Sequence, residues 1–240
     1  MSENTKPSEQ PIDPKTVTNK LFLQTIFGSQ WERALITAFR GDPAEKDPTK
    51  KPDWTAKLAG AWYDLATPTK NTYFCISVFN GRRRLKEEFV ATYVIVADDI
   101  GEKIDLADVE KLPPPSYILQ TSRESQHWGW ILTAPETEAK RVVNLINGWV
   151  SHGFISLNQR DSGMKGVTRY MRLPQGVNGK PSKVVNIDGS GDRPFQCELI
   201  EWNPDRKFNI NELADPFDID LEVEIESSTA KTLDAEDIAD

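Results

Sequence analysis

Apolar positions change period along this chain, and the changes divide it. Residues 1 to 20 are polar, carry Pro7, Pro11 and Pro14, and show no apolar repeat, so they read as a disordered lead. From Leu21 onward, Phe22, Ile26, Trp31, Leu35, Ile36 and Phe39 recur at roughly helical spacing interrupted by Gly28. That spacing predicts a helical pair ending at Gly41. Gly41 to Pro52 is a loop of lysine, aspartate and proline, and Asn71 to Asn80 is rich in β-formers and predicts a strand. The strand turns at Asn80-Gly81 into Arg82-Arg-Arg-Leu-Lys86, which reads as a solvated loop, with a phosphate contact as the alternative.

Ala91 to Ala97 is a continuous apolar run, the mark of a strand covered on both faces. After Pro113-Pro-Pro115, the runs Tyr117-Ile-Leu-Gln-Thr121 and His127-Trp-Gly-Trp-Ile-Leu-Thr133 flank a short polar loop and predict an antiparallel hairpin. Pro135, with Glu136 and Glu138 behind it, suits a helix start, and Ala139, Val142, Val143, Ile146, Trp149 and Val150 fall on one face until Gly153 stops the helix. Phe195 to Trp202 reads as a closing strand and Asn209 to Leu213 as a short helix. Ile219 to Glu226 alternates, which fits either an edge strand or a flexible acidic extension. The domain expected from these periods runs from 21 to 214, followed by an acidic tail over 215 to 240.

Composition narrows the class. At 240 residues, 38% hydrophobic, with seven Trp and ten Phe, the chain can bury a substantial core. Cys75 and Cys197 are too few for a disulfide framework or a cysteine zinc site, so the chain reads as intracellular and any metal as oxygen-ligated. No apolar run approaches the roughly 18 to 20 residues that span a bilayer, so no membrane association is expected.

The net charge of −8 is unevenly placed. From Asp215 to Asp240 ten acidic residues face one lysine, so residues 1 to 214 are close to neutral. Between Asn158 and Lys183, Arg160, Lys165, Arg169, Arg172, Lys180 and Lys183 face only Asp161. Such a local excess attracts polyanions whatever the total. The tail reads as solubilising; a DNA mimic and a helicase-recruiting segment are the alternatives.

Candidate chemistry concentrates in three places. In Tyr93-Val-Ile-Val-Ala-Asp-Asp-Ile-Gly101, Asp98 and Asp99 end an apolar strand. Neighbouring strand residues point to opposite faces, so the two share a metal only if the strand ends or bulges there. The other reading is a turn whose carboxylates cap backbone donors. With Asp161 they would form an oxygen site for one or two Mg²⁺ or Mn²⁺ ions. On the strand that His127 opens, His127, Gly129 and Ile131 share a face opposite Trp128 and Trp130. The tryptophan face should be core, and Gly129 should leave room for a ligand or the metal-bearing strand beside His127. Finally, Asp161-Ser-Gly-Met-Lys-Gly-Val-Thr-Arg-Tyr-Met-Arg-Leu-Pro-Gln-Gly-Val-Asn-Gly-Lys180 joins glycine bends to arginine forks that suit phosphate. If Thr168 to Leu173 is a strand, Arg169 and Arg172 point oppositely and only one enters the site, Arg172 being the stronger candidate.

Read together, Val94-Ile-Val-Ala-Asp-Asp-Ile-Gly, Pro115-Ser-Tyr-Ile-Leu-Gln-Thr-Ser, Gln126-His-Trp, Asp161 and Arg172-Leu-Pro-Gln-Gly-Val-Asn-Gly-Lys resemble the primase domain of plasmid and phage replication proteins, in the archaeo-eukaryotic primase superfamily. The likeness spans Ala91 to Lys180. It implies an α+β fold in which an α/β unit packs against a sheet like that of an RNA-recognition module, with the site between them. It further implies that Asp98, Asp99 and Asp161 hold the metals. His127 is then the second motif, and Arg172 and Lys180 fall in the closing phosphate-side motif; Arg169 and Ser122 are further candidates for binding the nucleotide. Relatives commonly carry a Glu-Thr-Ser-Pro-Gly type turn where Gln120-Thr-Ser-Arg-Glu stands here, and many carry Gln at the position of His127. The function implied is template-directed nucleotidyl transfer by a DNA primase or primase-polymerase. Its substrates would be a single-stranded DNA template and nucleoside triphosphates, its partner a replicative helicase, and its setting the cytoplasm of a bacterial host. A non-catalytic replication-initiation or single-stranded-DNA-binding module and a metal-dependent nuclease are the rival classes.

Overall fold

Gly28 ends the first helix, and the chain beyond it is not a second α-helix. The computed structural model describes residues 12–41, 54–153, 166–186, 189 and 191–223. Helix α1 (Asn19–Phe27) is capped by the Thr18 side chain and stops at Gly28, whose φ of 54° lies in the left-handed region that glycine adopts without strain. A 3₁₀ turn follows, and Leu35–Phe39 is then strand β1. The apolar spacing across Gly28 looked helical, but Ile36 and Thr37 are β-branched and pair with a neighbouring strand.

The remaining strands are β2 (Lys57–Leu58), β3 (Asn71–Cys75), β4 (Ser77–Phe79), β5 (Phe89–Ile100), β6 (Tyr117–Gln120), β7 (Gln126–Glu136), β8 (Tyr170–Arg172), β9 (Val177–Asn178), β10 (Phe195–Gln196), β11 (Glu198–Trp202) and β12 (Lys207–Phe208). The other helices are α2 (Ala59–Trp62), α3 (Leu106–Val109), α4 (Ala139–Ser151) and α5 (Ile210–Ala214). One sheet has the order β2-β1-β3-β8; the larger runs β11-β6-β7-β5-β4, with β12 joining β7 in parallel, and β9 pairs β10. The expected hairpin forms, β6 pairing antiparallel with β7 from Tyr117–Gly129 to Gln120–Gln126. Pro135 belongs to β7 rather than to α4, whose N-cap is Glu138.

Two cores lie on opposite faces of the larger sheet. On one, Val94, Val96, Tyr117, Leu119 and Ile131 meet Phe22, Leu23 and Ile26 of α1 and Ile36, Phe74 and Met171 of the smaller sheet. On the other, Ile95, Ala97, Trp130 and Leu132 meet Val142, Leu145, Ile146 and Trp149 of α4. The tryptophan face is core as expected, but so is the face of Ile131, and β7 is covered on both sides. The fold also extends past both expected boundaries. Val17 is buried before Leu21, and Leu221 is buried after Asp215, with Asn144 donating to the Leu221 and Val223 carbonyls. Residues 12–20 and 215–223 are therefore parts of the domain. No edge strand forms over 219–223. Among the described residues no helix is long and apolar enough to cross a membrane.

Candidate active site

The strand carrying the paired aspartates bulges where the pair stands. Ala97 faces Trp128 and Ile100 faces Gln126, so Asp98 and Asp99 together oppose the single residue His127. A bulge of two residues against one bends the strand and redirects its side chains. The alternation confirms the shift: Val94 and Val96 face one core, Ile95 and Ala97 the other, and Ile100 rejoins Ile95 and Ala97. Asp99 absorbs the extra residue with φ 59°, a conformation that Asp tolerates better than most side chains. Its carbonyl accepts from the amides of Glu102, Lys103 and Ile104, closing a tight turn. At Gly101, φ is 86° and an added Cβ would stand 2.6 Å from the Glu124 carbonyl oxygen, so glycine is required there on both counts.

Asp98 is the better anchored carboxylate. Its Oδ1 accepts from His127 Nε2 at 2.8 Å and from the Asp99 amide at 2.7 Å. Burial alone would push the Asp98 carboxyl up, but His127, Arg169 and the Asp99 amide outweigh it and hold the group well below the usual carboxylate range. Arg169 is fully buried and donates from Nη1 to the Val96 carbonyl at 2.9 Å. Asp99 meets the ammonium of Lys103 at 2.5 Å, four residues along the same turn. His127 is buried on its strand, and its Nδ1 has no hydrogen-bond partner among the described residues.

Gly129 does not leave space beside His127. Tyr117, its cross-strand partner, fills the position, and a Cβ on Gly129 would fall 2.1 Å from the Tyr117 ring. The glycine accommodates an aromatic ring rather than a ligand.

Tyr170–Arg172 is a strand that begins just after Arg169, and the two arginines of the basic segment reach separate partners. Arg169 is the one whose charge reaches Asp98. Arg172 ends β8, where Nη1 donates to Asn71 Oδ1 at 3.2 Å and the Val177 carbonyl at 2.8 Å, and Nη2 to Asn178 Oδ1 at 2.9 Å. Asn178 in turn donates to the Thr121 carbonyl at 2.8 Å, tying the segment to the β6–β7 turn. In that turn Ser122 is buried, its Oγ accepting from the Glu124 and Ser125 amides. Lys180 is exposed beyond this network, and Lys183 bridges Glu102 at 2.6 Å to Glu124 at 3.8 Å. Asn71, Asn178 and Lys103 were not singled out from the sequence. Only Lys103, four residues beyond a carboxylate, left a local signal.

Asp161, Arg160 and Lys165 lie outside the described residues. Among the described residues no group of three or more His, Cys, Asp and Glu side chains is placed to hold a metal. The donor chemistry of the bulge nevertheless fits a hard divalent cation. Asp98 and Asp99, neighbours in sequence, carry carboxylates 21% and 23% exposed, and the described hydrogen bonds to Asp98 all fall on Oδ1.

No protein-family model and no curated protein matches the sequence. Solved structures do. The AEP domain of the cyanophage S-2L primase-polymerase is similar with a TM-score of 0.59 at 17% identity, over 83% of this chain and 96% of that one. Primase RepB′ is similar at 0.47 and 13% identity, over 83% and 62% of the two chains. Its catalytic domain in complex with initiator DNA gives 0.47 and 15%, over 81% and 92%. A mixed α+β chain with two sheets enclosing one core, aligned over nearly the whole cyanophage domain, has the fold of an archaeo-eukaryotic primase domain.

Proposed function

We propose that this chain is a template-directed nucleotidyltransferase, a DNA primase or primase-polymerase of a phage or plasmid replication system. The observation carrying the proposal is the bulge that turns Asp98 and Asp99 into a carboxylate pair against His127. An ordinary turn with capping aspartates would not require a buried histidine and a buried arginine beside one of them.

In this reading Asp98 and Asp99, with Asp161, hold Mg²⁺ or Mn²⁺. Bound there, the ions would supply positive charge to a nucleoside triphosphate and ease deprotonation of an attacking hydroxyl. The remaining roles belong to the chain's own side chains. Arg169 offsets the Asp98 charge from within the core, so that the carboxylate stays ionised and in place. His127 orients the same carboxylate and borders the triphosphate. Arg172 holds the loop over 177–180 through its bonds to Asn71, Val177 and Asn178, which leaves Lys180 as an exposed ammonium for phosphate. Ser122 shapes the adjoining turn and keeps its hydroxyl hydrogen for a nucleotide oxygen. Single-stranded DNA would be the template, and a replicative helicase the partner in trans.

Primer synthesis on single-stranded DNA with Mg²⁺ or Mn²⁺ tests the proposal. Asp99→Asn should abolish incorporation while leaving the fold intact. Undiminished incorporation by that variant would reject the assignment. Degradation of labelled DNA without nucleotides would replace it with hydrolysis.

A further inference from the structure

The outer face of the smaller sheet carries an aromatic cluster that the candidate active site does not use. Phe39 on β1, Tyr73 on β3 and Tyr170 on β8 form a core separate from that between the sheets. Trp54 lies across all three strands. Its ring centroid is 4.6 Å from that of Phe39, 5.3 Å from Tyr73 and 5.7 Å from Tyr170, the last at 26° and stacked. Despite these contacts Trp54 is 37% exposed. An indole fixed by three rings yet open to solvent loses little freedom when a further flat ring stacks on it.

Cations frame this platform. The Arg84 guanidinium lies 3.9 Å over the Tyr170 ring and donates to the Thr168 carbonyl, and Arg172 lies 4.8 Å over Tyr73. The first of these contacts holds Arg84 on the ring against which Trp54 stacks. Arg82, two residues before Arg84, and Arg40, next to Phe39, are exposed. Arg83 is bonded to Glu88, and Glu87 is the exposed acid of the same loop. A rigid aromatic surface flanked by segments that carry exposed cations matches a backbone of phosphates with unstacked bases.

We propose that this outer face binds single-stranded nucleic acid, with Trp54 stacking on a base and Arg40 and Arg82 meeting phosphates. The face is joined to the candidate active site through two successive residues: the charge of Arg169 reaches Asp98, and Tyr170 supports Trp54. The choice of nucleic acid over other polyanions is the one element that rests on the proposed function.

The test is binding of a fluorescent single-stranded oligonucleotide to the full chain over a salt series, without nucleotides. Trp54→Leu keeps an apolar cover on Tyr73 and Tyr170 but cannot stack, and should weaken binding by about tenfold or more, whereas Trp54→Phe should retain most of it. The pair R40Q/R82Q should lower the magnitude of the salt slope by about 1.4, the value for two single-strand phosphate contacts. Near-ultraviolet circular dichroism of each variant reports that the sheet is intact. Equal affinity of Trp54→Leu and the native chain would overturn the proposal. So would displacement of the oligonucleotide by polyglutamate at matched charge, which would mark a general polyanion patch. If the native chain incorporates nucleotides and Trp54→Leu binds normally, the surface alone is refuted; a native chain that neither binds oligonucleotide nor incorporates nucleotides refutes both readings.

Discussion

His127 Nε2 stands 2.8 Å from Asp98 Oδ1, and the two are brought together by a bulge in one strand opposite the histidine of another. The contact gives Asp98 a structural role besides the chemical one proposed for it. Asp98 shares its surroundings with the buried Arg169, whereas Asp99 faces Lys103, whose side chain is 47% exposed. Removing one partner from a buried charge group costs roughly 3 to 5 kcal/mol, but an exposed pair contributes only about 0 to 1 kcal/mol. Asp98→Ala should therefore destabilise the domain by several times more than Asp99→Asn. Urea unfolding monitored by tryptophan fluorescence measures both; equal midpoints would contradict the proposed division between them.

Asp99 adds a conformational requirement. At φ 59° it occupies the left-handed region, which asparagine tolerates and alanine does not. Asp99→Ala should lose about 1 kcal/mol more than Asp99→Asn, since left-handed backbone costs an ordinary residue roughly 1 to 2 kcal/mol. Asparagine is thus the cleaner replacement in activity assays, and a comparison of the two melting curves checks the difference.

Lys103 competes with any cation for Asp99. Burial favours the neutral amine, but Asp99, Asp98 and Glu102 outweigh it and hold the ammonium proton more tightly than usual. A divalent ion taking the Asp99 oxygen that holds Lys103 must displace that ammonium. Lys103→Gln should lower the Mn²⁺ concentration at half-saturation by about threefold, the worth of an exposed ion pair near 0.7 kcal/mol. Mn²⁺ binding followed by electron paramagnetic resonance reads this directly, independent of turnover. An unchanged or higher half-saturation would show that Lys103 leaves the carboxylate freely.

Much of this arrangement was legible because its signals are local. Asp98-Asp99 followed by Ile100-Gly101 carries in nine residues both the apolar run and its interruption, and the pairing of β6 with β7 follows from two β-rich runs around a polar turn. What depended on distant partners was not legible. The spacing of Leu35, Ile36 and Phe39 suits either period over so short a run, and only pairing with β3 makes it a strand. The choice between Arg169 and Arg172 turned on which of them reaches β5, a property of packing. Asn71 and Asn178 lie 107 positions apart and are brought together by the guanidinium of Arg172, which donates to both side chains, and by the Gly179 amide, which donates to Asn71 Oδ1.

Gly129 offers the sharpest test of the packing behind His127. A Cβ there would lie 2.1 Å from the Tyr117 ring, and Tyr117 is itself held by Phe22 at 5.0 Å and Trp202 at 6.3 Å. The ring cannot retreat without displacing α1, so Gly129→Ala should cost about 1 to 3 kcal/mol, the usual range for overpacking a filled core. Replacing Tyr117 by Leu in the same chain removes the opposing ring, and the double variant should recover part of the loss. The coupling from a double-mutant cycle in urea should therefore be favourable and of order 1 kcal/mol. Additive losses would mean that the glycine serves something other than Tyr117, and the space beside His127 would again be open to a ligand.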